Sequence, residues 1–249
     1  MNVGLYQSAA SLSSLERWQE SVAQNITSSQ TTGYRKRTVS FSTQSAGELQ
    51  IDSRAPIGRD SGMPTLFPKV NQGINFVTGD TQPTRRELDV AIQGEGFFQV
   101  QKPDGTKAFT RNGEFRLRSD RTIITAQGDE VMGEGGSSIT LVAGGGPVAI
   151  NKDGTIFQGS TALGRLSVQK FTDNSQLVPA PGGLFTAPSG VTAQSVDDPE
   201  LLQGYIEGSN VVPLREMVDL VLISRAYEAN QKIITSADQQ MQKALEALG

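Results

Sequence analysis

Apolar side chains recur with helical spacing at both ends of this chain, and the middle follows a different pattern. Over residues 3–29, Leu5, Leu12, Leu15, Val22 and Ile26 fall on a seven-residue repeat, with charged residues off the repeat. That spacing is typical of the apolar seam of a coiled coil. The pattern predicts one long amphipathic helix that packs against another helix.

Signals for the end of this first helix follow directly. Thr31 and Thr32 are β-branched, and such residues disfavour a helix. Gly33 can adopt the left-handed conformation that often follows a helix end. We therefore predict an N-terminal assembly segment over 1–35, in which the chain turns away at Gly33 and Tyr34.

A second long helix is predicted near the C terminus, within a segment over 208–249. Pro213 suits a first helical turn, and Glu216 lies at the end where the helix dipole favours negative charge. The large apolar residues of this helix share a seven-residue repeat: Met217, Leu220, Tyr227, Ile234, Met241, Leu245 and Leu248.

Between the helices the pattern predicts an extended arm and a β-domain. Residues 36–78 show little periodicity and several Pro and Gly, which indicates an extended arm with one hairpin. Over 79–207, short alternating runs are separated by turn signals such as "PDGT" (103–106) and "RNGE" (111–114), and both predict hairpin turns. The predicted fold class is α+β: long terminal helices packing as a coiled-coil-like pair, a central all-β domain and an extended arm.

The first helix cannot be stable alone. Its five large apolar residues contribute about 1.5 to 3 kcal/mol each on burial, whereas ordering its backbone costs roughly 1 to 2 kcal/mol per residue. It needs the C-terminal helix, and each helix has more apolar length than one pair can bury. Two interpretations follow: a coiled-coil stalk with a β-domain binding module, or a subunit whose helices pack against those of its neighbours in a polymer.

Composition excludes several functions. The net charge of −4 gives no indication of a nucleic-acid partner, and the absence of Cys and His removes the usual nucleophile, general base and metal ligands. "QGEGFF" (93–98) lacks the third Gly of a dinucleotide loop, and "NKDGT" (151–155) lacks the acidic ligands of a calcium loop, so a turn explains each. We predict no cofactor, metal or small-molecule substrate.

The N-terminal residues have no basic region followed by an apolar core, and no 18-residue apolar run is present. We therefore expect neither a cleavable signal peptide nor membrane insertion.

An enzyme acting on cell-wall glycan is the remaining catalytic alternative. Its carboxylate pair would be Glu95 with Glu114, or Asp89 with Asp104. Because the chain has 26 acidic residues, some such pair is expected by chance. We predict that the protein is not an enzyme and has no catalytic residue.

Three motifs in order resemble a known family. "QNITSSQTTGYRK" matches the pattern that ends the family's first helix at Asn25, Ile26, Thr31, Gly33, Tyr34 and Arg35, and departs from it at Gln24, Thr27 and Ser28. "LDVAIQGEGFFQVQKPDGTKAFTRNGEFRL" and "EGSNVVPLREMVDLVLISRAYEANQKIITSADQ" resemble its β-domain and C-terminal helix. Over essentially its whole length the chain resembles the basal-body rod proteins of the bacterial flagellum.

The resemblance implies a structural subunit of the rod, the drive shaft that crosses the periplasm. It implies partners among copies of the same chain, other rod proteins, axial proteins on the hook side and the flagellar type III export apparatus. "GGPVAI", "LGRLSVQKF" and "EGSNV" are closer to the proximal rod protein, which we favour, while "LQGYIE" and "RAYEANQKIITSADQ" favour the distal one. The expected assembly interface is Leu5, Leu12, Leu15, Val22, Asn25, Ile26, Gly33, Tyr34, Met217, Leu220, Tyr227, Ile234, Met241 and Leu245.

Overall fold

The computed structural model describes residues 3–50 and 62–246. The chain forms two compact units. Unit 1 comprises residues 1–27, 37–73 and 212–249, and unit 2 comprises residues 28–36 and 74–211. The fold is α+β, with a mostly β central part and one long helix near each end, as the sequence predicts. Within the described residues, neither helix has a stretch long and apolar enough to cross a membrane.

Unit 1 contains both long helices and two long strands. Helix α1 spans Val3–Thr27 and helix α2 spans Pro213–Glu246. Strands β1 (Arg37–Gln50) and β2 (Gly62–Ile74) pair only with each other among the described strands, and we call this pair the ribbon. It occupies most of the region in which the sequence predicts an extended arm with one hairpin.

Helix α1 packs against both α2 and the ribbon. The core between the helices consists of the buried side chains Leu15, Val22 and Ile223, with Trp18, Ile26, Leu220, Ala226 and Tyr227 packed around it. On the ribbon side, the rings of Trp18 and Phe41 meet edge to face at 5.4 Å. Because a two-stranded sheet is marginally stable by itself in water, this contact with α1 stabilises the ribbon.

Unit 2 contains the short strands. They are β3 (Thr81–Pro83), β4 (Val90–Gln93), β5 (Phe97–Gln101), β6 (Lys107–Thr110), β7 (Phe115–Leu117), β8 (Ile123–Thr125), β9 (Glu130–Val131), β10 (Val148–Ile150), β11 (Thr155–Gln158), β12 (Thr161–Arg165), β13 (Val168–Lys170), β14 (Val178–Ala180), β15 (Leu184–Thr186), β16 (Gln194–Ser195), β17 (Glu200–Gln203) and β18 (Tyr205–Glu207), with a 3₁₀ helix at Asn174–Gln176.

The largest sheet runs β14-β15-β6-β5-β9-β8-β7, with β13 pairing to β5 and β16, and every pairing in it is antiparallel. A three-stranded sheet β10-β11-β12 and the pairs β17-β4 and β18-β3 complete the unit. One apolar core centres on Phe98, Ile123, Ile156 and Leu201, and a second, aromatic core contains Phe97, Phe109, Phe171 and Phe185.

Two turn predictions have opposite outcomes. "PDGT" joins β5 to β6 as an antiparallel hairpin, as predicted. The hairpin predicted at "RNGE" is wrong, because β6 pairs with β5 and β15 while β7 pairs with β8. A Cβ atom on Gly113 would lie 1.7 Å from the carbonyl oxygen of Val90, and Val90 donates its N–H to the Gly113 carbonyl. This glycine therefore permits close backbone contact instead of a tight turn.

Candidate assembly surface

The first half of α2 has two apolar faces. One face turns Glu216 and Ile223 inwards and buries both. The opposite face places Leu214, Met217, Val218 and Val221 at i, i+3, i+4 and i+7, which is one side of a helix. These four side chains are 74%, 51%, 55% and 53% exposed. We call them the α2 stripe. A soluble helix normally has one apolar face, so a second face at adjacent turns indicates a contact surface.

The predicted interface residues of the helices divide into an inner and an outer group. Leu15 and Val22 are buried, and Leu12, Ile26, Leu220, Tyr227 and Ile234 are half-buried. Met217 and Met241 are exposed. Leu5 and Leu245 lie in the helices, but their side chains fall outside what the structure describes. The structure thus brings together the middle of the predicted set around Ile223 and leaves Met217 on the α2 stripe.

Asn25 connects three elements of unit 1. Its side chain is 1% exposed, and its amide donates to the Arg37 carbonyl and to Glu216 Oε2, at 2.9 Å each. Its Oδ1 accepts a hydrogen bond from the Arg37 N–H at 2.8 Å. An amide that both donates and accepts is suited to this place, because it satisfies the first backbone groups of β1 and a buried carboxylate together.

Gly33 lies in unit 2 in a left-handed backbone conformation, with φ of 68°. The prediction that it adopts this conformation after the helix is confirmed. Its N–H donates to the Glu207 carbonyl at 2.7 Å. A Cβ atom at this position would lie 2.4 Å from the Arg111 carbonyl carbon. Both the dihedral angle and the close contact therefore require glycine. The neighbouring Tyr34 is buried.

Beside Gly33, one buried carboxylate pairs with two buried guanidinium groups. Glu207 Oε1 lies 2.5 Å from Arg35 Nη1, and Glu207 Oε2 lies 3.0 Å from Arg111 Nε. Glu207 Oε1 also accepts the N–H of Gly79 at 2.9 Å. Burial lowers the pKa of Arg111 to about 10, and the charge of Arg35 acts in the same direction. Arg111 therefore stays protonated at neutral pH.

Asn210 joins the same region of unit 2. Its Oδ1 accepts the N–H of Lys36 at 2.6 Å, and its Nδ2 donates to the carbonyls of Asn75 and Val77 at 2.8 and 2.7 Å. The chain passes between the two units four times. Asn210 therefore fastens three stretches next to these passages: residues 34–36, 75–77 and 207–211.

Two of the carboxylates considered above share one arginine. Arg86 pairs with Asp89 at 2.8 Å and with Glu114 at 3.0 Å. Its hydrogen bond lowers the pKa of Glu114, whereas a general acid needs a raised one. Within residues 3–50 and 62–246, no cluster of acidic side chains could hold a metal ion.

Sequence reasoning missed Ile223, Arg111 and much of the α2 stripe. The predicted seam of α2 contains Met217, Leu220 and Tyr227, and it does not contain Ile223. The spacing Leu220, Ile223, Tyr227 was the available signal. No local pattern identifies Arg111, because its partner Glu207 lies 96 positions later in the chain.

Comparison with known proteins gives evidence that is independent of the structure. The model "Flagellar hook protein FlgE/F/G D1 domain" matches residues 91–158, and "Flagellar basal body rod FlgEFG protein C-terminal" matches residues 202–247. The chain is 31% identical to the flagellar basal-body rod protein FlgF of Caulobacter vibrioides, over 100% of this chain and 99% of that protein. It is 31% identical to FlgF of Rhizobium meliloti over the same shares of each chain. It is 32% identical to the flagellar basal-body rod protein FlgG of Agrobacterium fabrum, over 88% of this chain and 89% of that protein.

Proposed function

This chain belongs to the family of flagellar basal-body rod proteins, and we propose that it is a structural subunit of the rod that polymerises through α1 and α2. Its partners would be copies of itself and neighbouring axial proteins, reached after export by the flagellar type III apparatus. Its place would be the part of the flagellum that spans the periplasm. It would act without catalysis or a cofactor.

The α2 stripe is the observation that carries this proposal. Four large apolar side chains stay more than half exposed on a helix whose opposite face is already buried. Covering the remaining area would contribute about 1 kcal/mol per side chain. Among the residues that the structure describes, α1 occupies the inner face around Ile223 and none covers the stripe, so we propose that a neighbouring molecule supplies this contribution. We propose that the inner face holds α1 and α2 together as a coiled-coil-like pair and that the outer face contacts a neighbour.

The predicted interface residues can be divided between these inner and outer faces. We propose that Leu12, Leu15, Val22, Ile26, Leu220, Tyr227 and Ile234 shape the helix pair, and that Leu5, Met217, Met241 and Leu245 extend it towards neighbours. Asn25, Gly33 and Tyr34 would fix the direction in which the chain leaves the helix. In functional terms, segments 1–35 and 208–249 would assemble, 36–78 would be an arm and 79–207 a β-domain.

We further propose the proximal position in the rod, with the distal position as the alternative. Relatives named FlgF are matched over 100% of this chain, whereas the FlgG of Agrobacterium fabrum is matched over 88%. That difference in coverage supports a subunit of the FlgF type, and the motifs closer to the proximal rod protein point the same way. The identities to FlgF and FlgG relatives are nearly equal, which keeps the distal alternative open.

Sedimentation of the full chain over a concentration series, with circular dichroism, tests the function. We expect open-ended species that grow with concentration. Val218→Glu should abolish them without changing the monomer's helix signal, because this side chain is 55% exposed. The matched control is Gln231→Glu, an exposed position on α2 outside the stripe. A closed oligomer of fixed small size would instead support the stalk interpretation.

A further inference from the structure

Unit 1 has a second surface that matches the α2 stripe in spacing but differs from it in chemistry. On α1, Ala10, Ser13, Ser14 and Arg17 occupy positions i, i+3, i+4 and i+7. With Gln44, Phe67, Pro68, Lys69 and Val70 of the ribbon they line an open groove of about 450 Å³. We call this surface the α1 groove.

The α1 groove lies away from α2. The α1 residues that pack against Ile223 are Leu15, Val22 and their neighbours Trp18 and Ile26. At 100° per residue, Ser13 and Arg17 point roughly 160° away from Leu15 around the helix. The α2 stripe is likewise opposite Ile223, so one molecule has two separate surfaces available for neighbours.

Shape makes the two surfaces complementary. Small side chains on the floor of the α1 groove allow close approach of a second helix, and large side chains on the α2 stripe can fill the space. A volume of about 450 Å³ has room for a few side chains of the size of Leu and Met. Apolar walls are provided by Phe67, Pro68 and Val70.

Charge makes them complementary as well. Arg17 and Lys69 line the α1 groove, and neither forms an ion pair with any residue that the structure describes. On α2, Glu228 follows Val221 by seven positions and therefore extends the same face as the stripe. It is exposed and likewise unpaired within residues 3–50 and 62–246. The carboxylate at the end of the stripe fits a groove with two basic groups, while the exposed Arg225, four positions after Val221 on the same face, would have to turn away from them.

We propose that the α2 stripe of one copy docks in the α1 groove of the next copy, with Glu228 beside Arg17 and Lys69. The contact joins two different surfaces, and such a contact produces an open chain of subunits unless the rotation between them closes a ring. The inference rests on the proposed function, and it specifies which surface of the neighbour receives the stripe.

Disulfide cross-linking of the full chain tests the pairing, because the natural sequence contains no Cys and gives no background. The double variant Ala10→Cys with Val221→Cys places one thiol in each surface, seven positions before Arg17 and Glu228 respectively. Under mild oxidation at concentrations where the chain assembles, we expect a ladder of dimers, trimers and higher species. Each single variant should stop at dimers. The control pair is Glu20→Cys with Val221→Cys, whose first site is exposed on α1 outside the groove, and it should give at least about tenfold less ladder.

Charge reversal gives a second readout that does not depend on new thiols. Arg17→Glu and Glu228→Arg should each raise the concentration needed for assembly by about tenfold, and the two together should restore most of the loss. Assembly with no ladder above the control pair, or a double reversal no better than the singles, overturns the pairing and leaves the proposed function standing. A chain that remains monomeric at every concentration overturns both.

Discussion

At the scale of single residues, Gly33 shows how one position can satisfy two requirements. Its backbone is left-handed, and its α-carbon faces the backbone of Arg111 without room for a methyl group. The sequence predicts the first requirement from the threonines before it. The sequence does not predict the close contact, because Gly33 and Arg111 are 78 positions apart in the chain.

Gly33→Ala should lower the free energy of unfolding by about 2 to 4 kcal/mol, because it adds backbone strain to a steric clash. Calorimetry of the full chain measures the loss. Gly144→Ala is the control, since φ is 69° there but no heavy atom lies within 4 Å of the added carbon. The control variant should lose only the part of the free energy of unfolding that comes from backbone strain, about 1 to 2 kcal/mol. Equal losses in the two variants would show that the close contact with Arg111 has no energetic effect.

At the scale of elements, the two helices and the β5–β6 hairpin were predictable, and the pairing of strands distant in sequence was not. Apolar spacing sustained over 25 and 34 residues specifies α1 and α2 to within a few positions. The turn at "RNGE" was predicted from local chemistry alone, whereas the role of Gly113 depends on Val90, which is distant in sequence. Patterns report local periodicity well, and they say little about which strands will meet.

Asn25 belongs to this scale because it links α1, β1 and α2. Asn25→Ala withdraws one donor from the buried Glu216 and leaves the backbone of Arg37 without its side-chain partner. We expect a loss of about 2 to 4 kcal/mol, seen as a lower thermal midpoint of the helix signal at 222 nm. Glu20→Ala, an exposed position on α1, serves as the control. A midpoint no lower than that of the control would contradict the proposed role of Asn25.

At the scale of the whole molecule, the absence of His has a measurable effect. No side chain has an ordinary pKa between 5 and 8. Several aspartates have lowered pKa values instead. The causes are hydrogen bonds from the Arg118 side chain to Asp120, the Thr106 backbone to Asp104, the Thr155 side chain to Asp153 and the Ser175 side chain to Asp173.

A carboxylate with a lowered pKa stabilises the folded state above its unfolded pKa, and that stabilisation is lost as the pH falls through the folded value. We therefore expect a thermal midpoint that is constant from about pH 5.5 to 8 and falls below about pH 4. Melting curves across this range check it. Asp120→Asn should make the acid decline shallower, because one such carboxylate is removed. A step in stability between pH 6 and 7 would contradict this account.

Unit 1 also determines when the molecule can be completed. Asn25 meets Glu216 across 191 positions of sequence, and the core around Leu15 and Val22 needs Ile223. The strands of unit 2 are all present once the chain has been synthesised as far as Glu207. Helix α1 must wait for the first turns of α2, which contain Glu216 and Ile223. A truncated molecule can therefore contain every strand of unit 2 while it lacks the buried core of unit 1. Under the proposed function, arrival of the first turns of α2 would set the moment at which a subunit becomes competent to join.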